Sequence, residues 1–283
     1  MALMDSFTER WEVCNSVPLH VLEWGGASAQ PLILLHGLAS SSHMFDLIAP
    51  ELTKYFHVYA VDQRGHGLSE KPPTGYDFET IARDLELLLD KLVADELPIV
   101  VGHSWGAYTT LYYAATRPER IKCAVLLDGG IHRIADDYPT WDEAEKGMSP
   151  PRYQNRSLAD IQTMIRDEWL GDIFRPELLP LALSIFDTSN PADVHAHLAY
   201  DNHMQIAYAL WSFEPTNYYS RVQCPVLIVN AVDADSALNE MQPYTTHAMQ
   251  NLAKVNVAWM HNTVHDIPWH RPEMLLKVFD LWL

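Results

Sequence analysis

No run of eighteen apolar residues occurs anywhere in the 283-residue sequence, so no helix is expected to cross a bilayer. The N-terminal stretch Met1-Ala-Leu-Met-Asp-Ser-Phe-Thr-Glu-Arg10 lacks the basic-then-apolar pattern of a secretory leader, and a cytoplasmic location is expected. Cysteine is scarce. Cys14, Cys123 and Cys224 lie far apart, no CxxC pair occurs, and each sits in or beside an apolar run, which predicts buried free thiols rather than a zinc or redox centre. Basic residues are outnumbered, 19 Lys and Arg against 37 Asp and Glu, for a formal net charge of −18. Such a surface repels nucleic-acid phosphates and anionic lipid, so neither nucleic acid nor membrane is expected as a partner. Internal repeats and low-complexity stretches are also missing. What remains, 48% hydrophobic and 20% charged residues, is the composition of a globular chain with one large core.

Short, apolar, β-branched runs alternate with longer amphipathic ones. Leu32–Leu35, Val58–Val61, Ile99–Val101, Ala124–Leu127, Val226–Val229 and Val255–Met260 read as strands buried on both faces, the pattern of a parallel sheet covered by helices. Two earlier runs, Trp11–Val13 and Leu19–Trp24, suggest an antiparallel hairpin. Between the strands, Phe78–Leu92 places Ile81, Leu85, Leu88, Leu89 and Leu92 on one stripe, Trp105–Thr116 follows the Ile99 strand, and Arg271–Leu283 forms a last helix. The alternation predicts an α/β, mostly parallel, doubly wound sheet. From Ile131 to Ser220 the rhythm stops: helical segments punctuated by prolines carry no strand signal, and Ser157-Leu-Ala-Asp160 looks like a capping box. The expected organisation is a core of residues 1–130 and 221–283 with a helical cap, 131–220, inserted between consecutive strands.

Gly102-His103-Ser104-Trp105-Gly106 sits where a strand passes directly into a helix. Such a turn forces its central residue to positive φ, demands small residues where the backbone crosses itself, and projects the Ser104 hydroxyl over the free N–H groups of the helix. A hydroxyl needs a base to act as nucleophile. His265, in the loop between the last strand and the last helix, returns to the same edge; His261 and His270 are its rivals, while His36 and His66 read as turn residues. His195 and His197 lie in the cap, and without carboxylate or cysteine neighbours they are not expected to hold a metal. The orienting acid is expected to be Asp235, whose loop after the Val226 strand is long enough to reach His265, with Asp128 and Asp233 as alternatives. The amides of Leu38 and Trp105 are the candidate oxyanion donors.

With His36-Gly37, Asp62-Gln-Arg64-Gly65-His66-Gly67-Leu-Ser69, the Gly102–Gly106 elbow and His265 in this order, the chain resembles the α/β-hydrolase fold superfamily over nearly its full length. The resemblance implies a Ser–Asp–His order, an oxyanion hole from Leu38 and Trp105, and a helical lid over the pocket. Epoxide hydrolases and haloalkane dehalogenases of this fold carry Asp where Ser104 stands, so a serine hydrolase of carboxylic esters or related acyl bonds is expected, working without a cofactor on a small apolar or aromatic molecule. Trp141, Trp169, Tyr208, Trp211 and Phe213 are the expected pocket aromatics. Two other readings stay open: a cofactor-independent dioxygenase using His265 with Asp128, and a ligand-binding receptor on the same scaffold.

Overall fold

The computed structural model describes residues 7–25, 29–93, 96–153 and 155–283, except for the side chains of residues 235 and 236. Eight strands form one sheet: β1 (Thr8–Cys14), β2 (Val17–Trp24), β3 (Gln30–Leu35), β4 (Phe56–Val61), β5 (Ile99–His103), β6 (Cys123–Leu127), β9 (Val226–Val232) and β10 (Val255–His261). Their order across the sheet is β1-β2-β4-β3-β5-β6-β9-β10. The β1–β2 hairpin is antiparallel, with Cys14 opposite Val17, and β2 runs antiparallel to β4; every other pairing in the sheet is parallel. Strands β4, β5, β6 and β9 are buried along their whole length, which is why they read as unbroken apolar runs.

Helices cover both faces. Phe78–Leu92 starts on Asp77, whose carboxylate accepts from the Thr80 amide at 2.9 Å, and buries Ile81, Leu85, Leu88 and Leu89 against one face. The final helix, Pro272–Trp282, packs Leu275 and Phe279 on the other. All three cysteines are free and buried, and burial pushes their thiols up, Cys123 to about 12. Among the described residues no helix is long and apolar enough to cross a membrane.

Between β6 and β9 the chain is largely helical, as its prolines and amphipathic stretches suggest. Two features differ from the sequence reading. A two-residue antiparallel pair, β7 (Phe186–Asp187) with β8 (His195–Ala196), interrupts the helices; a pairing this short leaves no periodic signal. The helix capped by Ser157 and Asp160 is α-helical only to Met164, then widens to a π-helical stretch over Ile165–Leu170. Beyond β9, the residues read as a long loop instead begin a helix at Asp235, Asp235–Asn251.

The turn after β4 is organised by one buried carboxylate. Asp62 accepts from His20 Nδ1 (2.9 Å), the Ser42 amide (2.6 Å) and the Leu68 amide (2.9 Å), and a Cβ on Gly67 would strike it. Burial alone would raise its pKa, but the His20 hydrogen bond and charge, with the nearby imidazole of His36 and the Ser42 amide, hold it well below the usual carboxylate range. A depressed carboxylate stabilises the fold above its unfolded pKa of about 3.9 and loses that contribution as pH falls. Asp62→Asn is therefore expected to cost on the order of 3 kcal/mol at pH 7, with the gap to wild type narrowing below about pH 4. Urea unfolding at pH 7 and pH 3 measures both values, and a gap independent of pH would contradict this account.

Candidate active site

Ser104 stands between β5 and the helix Trp105–Thr116 with φ 52° and ψ −119°, a strained conformation for a residue with a Cβ. The flanking glycines are required by contact. A Cβ on Gly102 would lie 2.0 Å from the Gly106 carbonyl oxygen, and one on Gly106 would lie 2.2 Å from that of Leu35. The Ser104 amide donates to Leu127 O at 2.9 Å, tying the elbow to β6. Trp105, as first residue of its helix, presents an amide with no intrahelical acceptor.

The loop after β3 is held against the elbow by two neutral histidines. His36 Nδ1 donates to Gly37 O (2.7 Å) and its Nε2 accepts from the Gln63 amide (3.1 Å). His66 Nδ1 donates to Arg64 O (3.0 Å), and its Nε2 accepts from the amide of Ala39, which sits at φ 56°. Burial drives both imidazoles below their ordinary pKa. His66 thus does more than close a turn: it fixes the segment that carries Leu38.

His265 meets Asp128. Its Nδ1 donates to Asp128 Oδ2 at 2.6 Å, while Asp128 Oδ1 accepts from the Ala231 amide at 2.8 Å. Asp128 directly follows β6, at φ 46°, and β6 lies between the strand of Ser104 and the two strands that lead to His265. No long loop is needed to cross, because the carboxylate stands on the strand in between. The pairing is thus with Asp128, the alternative acid; the expected Asp235 opens a helix and its side chain lies outside the described residues, and Asp233 is exposed. Of the rival histidines, His261 ends β10 on the surface, and His270 Nδ1 accepts from the Val264 amide, shaping the loop.

Ser104 and His265 line the same cavity of about 470 Å³, together with Gly37, Leu38 and His103. The Ser104 hydroxyl does not hydrogen-bond the His265 ring in this structure; such pairs tighten when substrate binds. Burial would lower the His265 pKa, but the Asp128 hydrogen bond and charge, aided by Asp266, raise it. His103 goes the other way. Buried, and repelled by the His265 charge, it falls to about 4 and donates from Nε2 to the His265 carbonyl at 2.9 Å. The sequence reading missed His103, although its place next to Ser104 was a signal.

The expected pocket aromatics divide. Trp169 lines the cavity, delivered with Glu168 by the π-helical stretch. Trp141, Tyr208 and Trp211 instead pack on one another, with ring centroids 5.0 to 5.8 Å apart, and Tyr208 is exposed. Phe213 is core, stacked on Tyr218 at 4.7 Å. These four do not reach the Ser104 cavity. Tyr153, Met164 and Ile185 line it instead, with Met44 from the turn after β3, and side-chain direction in the irregular segment between β6 and β9 gave no periodic clue to the first three. His195 is exposed beside Asp193, and among the described residues no three His, Cys, Asp or Glu side chains gather as metal ligands. A larger depression of about 660 Å³ lies at the opposite end of the sheet, where β3, β4 and β5 begin, away from the carboxyl ends at which α/β sheets place their chemistry.

Residues 30–169 match a family model described as the alpha/beta hydrolase fold. The chain is an α/β-hydrolase. Over 98% of both chains, this α/β-hydrolase superposes on the crystal structure of E-2-(acetamidomethylene)succinate hydrolase with a TM-score of 0.78 at 25% identity. It is 27% identical over 270 residues to N-formylmaleamate deformylase of Pseudomonas putida, covering 90% of this chain and 88% of the relative. It is 34% identical over 134 residues to a soluble epoxide hydrolase of Corynebacterium sp., spanning 47% of this chain and only 46% of the relative's length. Curated relatives of this α/β-hydrolase thus include hydrolases of several kinds and a decarboxylase.

The opposed shifts of the two cavity histidines generate a direct check. By NMR titration, the His265 imidazole is expected to titrate above 6.5 in the wild type and to fall in Asp128→Asn, while Asp235→Asn leaves it in place. A His265 pKa that follows Asp235 instead would reverse the pairing.

Proposed function

We propose that this α/β-hydrolase cleaves an ester or related acyl bond through an acyl-enzyme on Ser104. The observation that carries the reading is the strained Ser104 hydroxyl opening on the same cavity as an imidazole oriented by Asp128. With Nδ1–H bound to Asp128, the His265 Nε2 lone pair is free to take the Ser104 proton as Oγ attacks the carbonyl carbon. The C–O π pair moves onto the carbonyl oxygen, and the amides of Leu38 and Trp105 are the donors assigned to it. Collapse expels the leaving group, which takes the His265 proton. Water then enters, gives its proton to His265 and attacks the acyl-enzyme; Ser104 leaves as alcohol when that proton returns to it, and the acid departs.

Chemistry supports acyl cleavage over epoxide opening, even though an epoxide hydrolase is among the relatives. A serine alkoxide that opens an epoxide forms an alkyl ether, which water does not hydrolyse, whereas an acyl-serine turns over. The deformylase's own name denotes removal of an acyl group. The His265–Asp128 pair also suits the second reading, deprotonation of a heteroaromatic substrate before attack by dioxygen, in which Ser104 only binds.

The two readings separate in one set of assays. A fluorophosphonate is expected to add to Ser104, and Ser104→Ala to lower p-nitrophenyl acetate hydrolysis by on the order of 10⁴-fold or more. Because the base must be neutral and its pKa is raised, the acid limb of kcat/KM is expected above pH 6.5. Unchanged turnover by Ser104→Ala would refute the nucleophile, and oxygen consumption with a hydroxyquinolone, insensitive to the phosphonate, would favour oxygenation.

A further inference from the structure

A second chamber, of about 270 Å³, adjoins the one that holds Ser104. The two share Ala39, Ser40, Pro151, Tyr153 and Ile185 as walls, so they meet between the loop after β3 and the inserted segment. The Ser104 chamber is apolar at Met44, Met164 and Trp169, and the second at Met148, Ala196 and Leu198. Thioethers at both ends adapt readily to a flexible chain.

Among the described residues neither set of walls contains a lysine or arginine. The second chamber holds three imidazoles, but each is committed or kept neutral. His66 uses both ring nitrogens on backbone groups, and His203 Nε2 donates to Met148 O at 2.9 Å. Burial lowers the pKa of His66, His197 and His203 alike. Lys71, near His197 in charge terms, is not one of the wall residues; its ammonium donates to the carbonyls of Gly67 (3.0 Å) and Ser69 (2.6 Å). The carboxylates on the walls are Glu168 and Asp266, in the Ser104 chamber. With His265 in the neutral form a base requires, an anionic substrate would lose water there with no cation on the walls, and would face like charge. This contrasts with the relatives whose names contain succinate and maleamate, both carboxylate skeletons.

We infer that the substrate is an elongated acyl derivative without negative charge, lying from Ser104 past Ala39 and Tyr153 into the Met148–Leu198 chamber. The acyl class rests on the function proposed above; the length and charge preferences rest on the walls alone. A binding assay therefore tests them without turnover. Ser104→Ala is titrated with decanamide, with the short neutral butanamide, and with decanoate at pH 8, followed by calorimetry. Decanamide is expected to bind at least tenfold tighter than either of the others. Ala196→Trp, and independently Met148→Trp, are expected to collapse the decanamide-to-butanamide ratio toward unity by filling the second chamber. Decanoate binding as tightly as decanamide, or a ratio that neither tryptophan changes, would overturn the inference. If the binding pattern holds while the wild type cleaves no p-nitrophenyl ester from acetate to decanoate, acyl cleavage fails and the two-chamber site stands.

Discussion

The Asp128 carboxylate accepts from two donors on different segments, the Ala231 amide of β9 and the His265 imidazole beyond β10. One oxygen is fixed by the backbone of the neighbouring strand, so the other can point in only a narrow range of directions, and the imidazole is oriented by that constraint rather than by its own exposed loop. The rest of the site depends on this. An imidazole free to rotate would present either nitrogen to the cavity; one that donates from Nδ1 presents Nε2. The ion-paired geometry also sets the sign of its pKa shift, since burial alone would have kept it neutral and less basic.

That constraint would be useless without the close approach on the other side of β6. The Ser104 amide bonds to Leu127 O, one residue before Asp128, and a Cβ on Gly129 would lie 2.6 Å from Ser104 O. The elbow and Asp128 therefore share a strand end, and both adopt positive φ there. Strain at Ser104 and at Asp128 is held by the same piece of parallel sheet, whose strands are buried throughout. A rigid, fully covered sheet is what lets two unfavourable backbone conformations persist side by side.

The fold was legible because burial on both faces leaves a mark that survives in one dimension: β4, β5, β6 and β9 are buried at every position and apolar at most, and the Gly102–Gly106 spacing encodes a backbone crossing. His265 was legible from topology, as the histidine that returns to the strand ends. The acid was not. Asp128 and Asp235 both follow strands, and the choice turns on where β6 sits laterally, which no local pattern records; the supposed long loop was a helix from Asp235 onward. The pocket aromatics failed for a related reason. Trp141 and Trp211 pack on each other and on Tyr208 away from the Ser104 cavity, while the π-helical stretch Ile165–Leu170 places Trp169 on its wall, and neither outcome follows from hydrophobicity.

Two histidines face the Ser104 cavity, and they are neighbours: their rings lie 4.8 Å apart and His103 Nε2–H is bonded to the His265 carbonyl. Left alone, two imidazoles at that distance would compete for one proton. The structure removes the competition by giving one of them a carboxylate and the other only a carbonyl. A carbonyl accepts a hydrogen bond from a neutral ring as well as from a charged one, so it cannot offset the burial of charge at His103, which drops to about 4. A carboxylate can, and His265 rises. Opposed shifts on adjacent groups of the same type make one ring less basic and the other more so, the arrangement a general base requires. In the mechanism proposed above, a proton taken from Ser104 would accordingly rest on His265, beside Asp128, and not pass to His103.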